Sequence, residues 1–233
     1  GIVVQLDAPA FCAINAADTT VTAGGGADLA KFIMTCVRAG LAGPEVLAGI
    51  PATVGGAVRM NAGGRFGEIG PLVQQVHAMA WTGQVVARRR DDLEFGYRRS
   101  NLIEPIIVAV KFALRRESPD ALRYRVKEYF RWKSQTQPLG GRSAGCAFKN
   151  PSKETSEKPA GRLIDEAGLK GERLGGAEVS LVHANFIVIH PGGTADDAIR
   201  LMDRVQRKVA EKFGVNLERE VVVWADEESK TPT

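Results

Sequence analysis

The amino-acid sequence predicts an α+β fold, and three observations carry this prediction. Short apolar strands and amphipathic helices follow one another without a regular order of strand and helix. No internal repeat is visible. The chain has 233 residues, of which 44% are hydrophobic and 25% charged, so it can bury a core as one large domain or as two modest ones.

Two helices have the clearest patterns. Asp28 is a candidate N-cap, and the apolar residues after it recur with helical spacing, which places Cys36 in the core. Thr194 and Asp197 form a variant of the capping box, and an apolar stripe continues until Gly214 ends the helix. Patterns of apolar residues and turn signals predict further strands at 2–6, 76–81, 84–87, 106–114, 184–189 and 219–224, and further helices at 120–133 and 160–167.

Composition limits the class of partner. The net charge of +4 and a pI near 9.1 favour an anionic partner, which is either nucleic acid or a nucleotide-like cofactor or substrate. Three cysteines without CxxC spacing argue against a zinc site and fit a reducing compartment. No apolar stretch is long enough to span a bilayer, so we expect a cytoplasmic protein without membrane contact.

The segment 49–64 is rich in glycine, but its neighbours are neither polar nor low in complexity. Glycines among small residues allow backbone amides to approach a bound anion, so one interpretation is a diphosphate-binding loop. A tight structural turn is the other interpretation. The segment matches neither the GxGxxG pattern nor a P-loop.

Two further segments carry reactive side chains. Residues 95–100 place Tyr97 beside Arg98, and residues 143–151 place Cys146 among small residues. Each segment alone is a weak signal, because a cysteine between glycine and alanine is more often a small buried residue than a catalytic one.

Taken together, these segments resemble the UDP-N-acetylenolpyruvoylglucosamine reductase family, also called UDP-N-acetylmuramate dehydrogenase. The resemblance covers nearly the whole chain, through AGIPATVGGAVRMNAGG (48–64), FGYRRS (95–100), SAGCAFKNP (143–151), AGRLIDEAGLKG (160–171), HANF (183–186) and LEREV (217–221). Only eight residues, 152–159, separate the third and fourth motifs, which is similar to the second type of the family.

The resemblance implies an FAD-binding domain of the vanillyl-alcohol-oxidase or PCMH-like type, followed by a smaller α+β substrate domain. We expect the FAD-binding part at 1–135, the substrate domain at 136–213, and a C-terminal strand and tail at 214–233. The family normally has an additional N-terminal region with a GGGSN loop that holds the flavin diphosphate. We therefore expect the FAD-binding domain to be N-terminally truncated here, with weakened FAD affinity.

The resemblance also implies an activity, in which NADPH reduces bound FAD and UDP-N-acetylglucosamine enolpyruvate is then reduced to UDP-N-acetylmuramate for peptidoglycan synthesis. Arg98 and Glu220 would stabilise the developing enolate, and Cys146 would donate the proton. A guanidinium suits a bidentate contact to a carboxylate, whereas Glu220 would need to hold or share a proton. Many family members have serine in place of Cys146, but a thiol with an ordinary pKa of about 8.5 is still protonated at neutral pH.

Binding residues follow from the same motifs. The residues expected to bind the cofactor are Gly49, Ile50, Pro51, Gly55, Gly56, Ala57, Asn61, Ala62 and Gly63. Those expected to contact the nucleotide sugar are Tyr97, Lys149 and Asn150. No metal, nucleic acid or membrane is expected, and a monomer is favoured. The alternative hypothesis is an inactive paralogue or a basic module that binds nucleotides or nucleic acid.

Overall fold

The computed structural model describes residues 3–224 and divides the chain into two compact units, Gly1–Lys133 and Ser134–Thr233. Each unit has its own hydrophobic core of buried side chains. Helices and antiparallel strands occur in both, so the predicted α+β class is confirmed. No helix within residues 3–224 is long and apolar enough to cross a membrane.

The first unit is built on a five-stranded antiparallel sheet with two helices that pack together. Its strands are β1 (Ile14–Ala17), β2 (Thr20–Gly24), β3 (Leu41–Ala42), β4 (Gly63–Gly64), β5 (Gly67–Glu68), β6 (Val73–Met79), β7 (Val85–Arg89), β8 (Phe95–Gly96), β9 (Arg99–Ser100), β10 (Ile106–Ala113) and β11 (Arg115–Arg116). Its helices are α1 (Pro9–Cys12), α2 (Leu29–Arg38), α3 (Val54–Arg59) and α4 (Pro119–Thr136), and 3₁₀ turns lie at Pro44–Leu47, Gly70–Leu72 and Arg90–Asp92.

The strand order in the main sheet is β1-β2-β10-β6-β7, and three two-stranded ladders lie outside it. Helix α3 contacts β2, β10 and α2. Helix α2 buries its apolar stripe, including Phe32, whose ring lies 4.7 Å from that of Phe112 on β10. Cys36 on the same stripe is fully buried, and burial raises the pKa of its thiol to about 12, so it is the inert core residue predicted from the periodicity.

Three consecutive glycines, Gly24 to Gly26, let the chain pass between β10 and the segment that leads into α3. The amide of Gly25 donates to the carbonyl of Val108 at 2.8 Å, and the carbonyl of Gly25 accepts from the amide of Gly55 at 2.8 Å. A methyl group on Gly25 would lie 1.8 Å from the carbonyl oxygen of Ile107. Backbone therefore packs directly on backbone here, and no larger residue fits.

The second unit packs a long helix against a three-stranded antiparallel sheet. Its elements are α5 (Ala160–Glu166), β12 (Arg173–Leu174), β13 (Ala177–Val179), β14 (Ile187–Ile189) and α6 (Ala195–Phe213). Helix α6 contacts β12, β13 and α5. The Thr194 hydroxyl accepts from the Asp197 amide, the Asp197 carboxylate accepts from the Thr194 amide, and Gly214 adopts the left-handed conformation that ends the helix. The predicted capping box is confirmed.

Most predicted elements are present with shifted ends, but two are wrong. Residues 3–6 belong to no strand, because they line a cavity instead of pairing within the sheet. Residues 219–224 also form no strand, and only Arg219 makes an isolated bridge, to Phe148. The predicted tail at 225–233 lies outside the described residues. The domain boundaries at 135 and 213 stay predictions.

We expect Gly25→Ala to destabilise the chain by more than about 3 kcal/mol, because the new methyl group forces two backbone segments apart. The measurement is urea unfolding followed by circular dichroism. Gly140→Ala is the control, since a methyl group there meets nothing within 4 Å, and its effect should stay within about 0.5 kcal/mol. Equal stability of the two variants would contradict the close packing described for Gly25.

Candidate functional site

A cavity of about 690 Å³ lies in the first unit, beside the segment that enters α3. Its size falls within the ordinary range of about 300–1,000 Å³ for ligand and cofactor pockets. Backbone and small side chains form much of the wall, which also includes acidic and basic side chains. The lining residues that matter below are Asp28, Lys31, Thr53, Gly55, Gly56 and Arg59.

The glycines at the start of α3 serve close packing between backbone segments. The amides of Val54 and Gly55 donate to the carbonyls of Ala27 and Gly25, and the amide of Gly56 donates to the Thr53 hydroxyl at 3.2 Å. These amides are therefore used within the chain and do not form the anion-binding nest suggested by the glycine spacing. Gly55 and Gly56 contribute a flat wall that a flexible or planar group can approach closely.

The other predicted cofactor residues lie away from this wall. Ala57 is buried in the core, and Ile50 and Ala62 pack against that core from its edge. Gly49 has a positive φ of 77° and lies beneath the side chain of Lys133. Pro51, which follows Ile50, is exposed.

Asn61 joins the end of the glycine-rich segment to the segment that carries Tyr97 and Arg98. Its side chain is 1% exposed, donates to the Glu68 carboxylate at 2.7 Å and the Gly96 carbonyl at 3.1 Å, and accepts from the Gly70 amide at 3.0 Å. A buried amide that uses both its donors and its acceptor in this way holds the backbone at Gly70 and Gly96 and the carboxylate of Glu68 in place. Asn61 is therefore a structural link between two of the sequence motifs.

Arg98 is held in an uncommon backbone conformation with φ of 55°. Its guanidinium donates to the carbonyl of Gly63 at 3.1 Å, and its Cζ lies 5.2 Å from the centre of the Tyr97 ring. A non-glycine residue with positive φ costs about 1 kcal/mol or more, and such residues concentrate at functional sites. Tyr97 is 46% exposed, so the pair presents an aromatic ring and a fixed cation at the surface of the first unit.

Lys133 is a second cation near Arg98. It is only 7% exposed, its stem covers Gly49, and its side chain makes no hydrogen bond or ion pair within residues 3–224. Burial, with a smaller contribution from the charge on Arg98, lowers the pKa of Lys133 to about 8. A buried cation beside another cation is costly without a ligand, so this region favours an anion.

In the second unit, the segment that carries Cys146 runs between two other motif segments. The amide of Ala147 donates to the carbonyl of Asn185 at 2.7 Å, and the amide of Glu220 donates to the carbonyl of Ala147 at 2.8 Å. Cys146 itself makes an isolated antiparallel bridge with Phe186. The structure therefore brings the Cys146 segment and Glu220 together through a backbone contact, although Cys146 and Glu220 are 74 positions apart in the sequence.

The Asn185 side chain bonds to the backbone of this segment as a neighbouring strand would. Its side chain is buried, accepts from the Phe148 amide at 3.0 Å and donates to the Phe148 carbonyl at 2.7 Å. The two predicted substrate residues nearby also have partners within the unit. The ammonium of Lys149 pairs with the carboxylate of Glu218, and the Asn150 side chain accepts from the amide of Ala160 at 3.0 Å, where α5 begins.

Several residues of these sites carried no usable signal in the sequence. Thr53 and Lys31 line the cavity, and Arg59 reaches it from the last position of α3. The only sequence feature that could have indicated this cavity is the run of three glycines at 24–26. No sequence feature indicated Lys133, because it lies on a helix with so many basic residues that a solvated side chain was the natural interpretation.

The first unit is similar to a known cofactor-binding domain. The model of an FAD binding domain matches residues 1–87, which include the glycine run and the start of α3. The chain is therefore a flavoprotein with an FAD-binding first unit. The model of the UDP-N-acetylenolpyruvoylglucosamine reductase C-terminal domain matches residues 137–224, within the second unit.

Individual relatives agree with both matches. The chain is 43% identical to the UDP-N-acetylenolpyruvoylglucosamine reductase of Desulfosudis oleivorans over 211 residues, which are 87% of this chain and 66% of the relative. It is 40% identical to that of Heliobacterium modesticaldum over 228 residues, which are 97% of this chain and 71% of the relative. The crystal structure of the reductase from Thermus caldophilus superposes with a TM-score of 0.76 at 40% identity, covering 90% of this chain and 74% of that one.

The chain belongs to the UDP-N-acetylenolpyruvoylglucosamine reductase family, and it spans about two thirds of the length of the relatives it matches. The resemblance inferred from the sequence motifs is confirmed, as is the presence of an FAD-binding domain followed by the C-terminal domain of that family. Because the chain belongs to a reductase family, the alternative hypothesis of a basic nucleic-acid-binding module is not favoured.

We expect Lys133→Met to raise the free energy of unfolding at pH 7 by roughly 1–3 kcal/mol, because a buried charge is removed. Lys133 has a folded-state pKa of about 8, below the ordinary 10.5, so the unfolded chain binds more protons between these values. The stability of the wild type should therefore rise from pH 8 to pH 10.5, and the advantage of the variant should shrink over that range.

The measurement is urea unfolding at several pH values between 7 and 10.5. Lys127→Met is the control, since Lys127 is exposed on the same helix and its replacement should have no such pH dependence. A stability difference that does not change with pH would contradict the burial of a charged Lys133.

Proposed function

We propose that this chain carries the flavin- and substrate-binding parts of an enzyme that reduces UDP-N-acetylglucosamine enolpyruvate to UDP-N-acetylmuramate in peptidoglycan synthesis, with NADPH as reductant. The observation that carries the proposal is the pairing of the Cys146 segment with the Glu220 segment through the amide of Glu220 and the carbonyl of Ala147. This pairing brings the backbone that carries Cys146 against the backbone that carries Glu220, in the unit that matches the reductase C-terminal domain.

The first unit fits FAD. Its cavity has a suitable volume, a wall of small residues at Gly55 and Gly56, and two cations, Lys31 and Arg59, that suit the anionic parts of a dinucleotide. When bound, FAD supplies the transfer of hydride from NADPH to the substrate. Thr53, Gly55 and Gly56 would exclude water along one face of the cofactor, and the cations would orient it.

The substrate is an enol ether that carries a carboxylate, and its reduction needs hydride at the terminal carbon and a proton at the carbon that bears the carboxylate. Arg98 would bind that carboxylate and stabilise the negative charge that develops on it. The backbone strain at Arg98 and its bond to Gly63 fix the guanidinium before the substrate arrives, which lowers the entropy cost of binding.

Cys146 would supply the proton. The bond between Sγ and its hydrogen breaks as the new C–H bond forms, and solvent then reprotonates the thiolate. Glu220, in its protonated form, would donate a hydrogen bond to the developing enolate. Lys133 adds a second positive charge near Arg98 and would favour the anionic substrate.

We propose that the nucleotide sugar is contacted by Tyr97, Lys149 and Asn150. Of these, Tyr97 has an exposed ring that can stack or donate. Asn150 uses its carbonyl oxygen at the start of α5, which supports a role in holding the Cys146 segment in place. The cytoplasmic location and the monomeric state also stay predictions.

We expect Cys146→Ala in the FAD-loaded chain to leave flavin reduction by NADPH unchanged but to slow product formation by about 10²–10⁴-fold, because only the proton donor is lost. Anaerobic bleaching of the flavin absorbance reports the first step, and mass spectrometry of the nucleotide sugar reports the second.

Cys146→Ser is the matched control. A hydroxyl replaces the thiol at nearly the same size, so product formation should stay well above that of the alanine variant. The proton-donor role is excluded if the alanine variant forms product at the rate of the wild type.

A further inference from the structure

Arg59 has so far been given only a general role in orienting the cofactor, yet its guanidinium is fixed at the wall of the flavin cavity. It is the last residue of α3, and it donates to the backbone carbonyls of Leu102 and Glu104. The Ser100 hydroxyl donates in turn to the backbone carbonyl of Arg59 at 2.8 Å. The guanidinium is therefore held by neutral carbonyl groups.

The nearest carboxylate does not neutralise Arg59, because it is paired elsewhere. Glu104 is 5% exposed, and its Oε1 accepts from Arg88 through Nε at 2.7 Å and Nη2 at 2.5 Å. Burial tends to raise the pKa of Glu104, but hydrogen bonds from the backbone and from Arg88 outweigh it and lower that pKa, so the carboxylate is ionised and committed to Arg88. Burial lowers the pKa of Arg59, against a smaller opposing effect of Glu104.

Within residues 3–224, Arg59 makes no ion pair, so a partly buried cation faces the cavity without a bonded counter-charge. The other charged groups on the wall are Lys31, Asp7 and Asp28. Asp28 is used at the start of α2, where its carboxylate accepts from the Lys31 amide at 2.8 Å. An anionic part of the ligand is the natural partner for Arg59.

The position of Arg59 indicates which part of FAD would lie beside it. Thr53 precedes α3 and Arg59 ends it, so the two lie about 9 Å apart along the helix axis at ~1.5 Å per residue. Thr53 pairs with Asp28, close to Lys31. Arg59, in contrast, is bonded to Ser100, in the same segment as the proposed substrate-binding Arg98. Since hydride must pass from the flavin ring to the substrate, the ring belongs at the Arg59 end and the diphosphate at the Lys31 end.

We propose that Arg59 stabilises the negative charge that the flavin ring acquires on reduction, and so raises the reduction potential of the bound cofactor. This inference rests on the proposed function, because it needs FAD in the cavity. A fixed cation close to the ring favours the reduced, anionic form over the neutral oxidised form. Lys31 should instead bind the two redox forms equally well, since the diphosphate has the same charge in both.

The test compares Arg59→Met, Arg59→Lys and Lys31→Met in the full chain loaded with FAD. Quenching of flavin fluorescence gives the dissociation constant of oxidised FAD, and anaerobic equilibration with a reference dye gives the midpoint potential. Arg59→Met should weaken binding of reduced FAD at least tenfold more than that of oxidised FAD, a fall of about 30 mV for a two-electron couple. Arg59→Lys, which keeps the charge, should recover more than half of this loss.

Lys31→Met is the matched control, because it removes the same charge from the other end of the cavity. It should raise the dissociation constant without changing the potential. Glu104→Gln keeps Arg59 intact and removes a nearby negative charge, so it should raise the potential; a merely structural role of Arg59 does not predict this sign.

An unchanged potential in Arg59→Met and Glu104→Gln would overturn the inference while leaving the proposed function in place. An equal fall of the potential in Lys31→Met would also overturn it, because the effect would then not depend on position. If the wild-type chain binds no FAD at all, the proposed function fails and this inference fails with it.

Discussion

The structure of the first unit depends on a set of hydrogen bonds that join the end of α3 to the segment 96–104. Asn61 donates to Gly96, Arg98 donates to Gly63, Ser100 donates to Arg59, and Arg59 donates to Leu102 and Glu104. Each bond links residues at least 35 positions apart in the chain. Together these hydrogen bonds tie the wall of the cavity to the Arg98 segment.

This connection explains why strain is tolerated at Arg98. A positive φ costs free energy that the local sequence cannot recover, so surrounding contacts must hold it. The bond to Gly63 and the contact with Tyr97 do so on one side, and Asn61 fixes the adjacent Gly96 on the other. The same bonds leave Arg59 with its charge facing the cavity, so the position of a cation near the cofactor follows from the requirements of the fold.

Local patterns were sufficient to predict much of the fold. Helix α6 was predicted with its capping box and its terminating glycine, and α2 with its N-cap, because these features depend on residues within a few positions of one another. The strands predicted at 2–6 and 219–224 were wrong because an apolar run does not specify whether an extended segment finds a partner strand.

The candidate site was predictable in its motifs but not in its contacts. The glycines of 49–64 suggested amides free for an anion, whereas those of Val54, Gly55 and Gly56 are used within the chain, by acceptors as distant as Gly25. The pairing of the Cys146 and Glu220 segments rests on isolated backbone bonds, which leave no periodic pattern. Arg59 and Lys133 were missed because burial of a basic residue is decided by distant neighbours.

Whether the cavity along α3 holds FAD can be read from the visible absorption spectrum of the purified chain. The chain is mixed with FAD, desalted and scanned, beside Gly56→Leu, which places a bulky side chain in the cavity, and Gly140→Leu as an exposed control. We expect a retained flavin band in the wild type and in Gly140→Leu, and its loss in Gly56→Leu. A wild-type chain without the band, or a Gly56→Leu variant that keeps it in full, would contradict the assignment of this cavity.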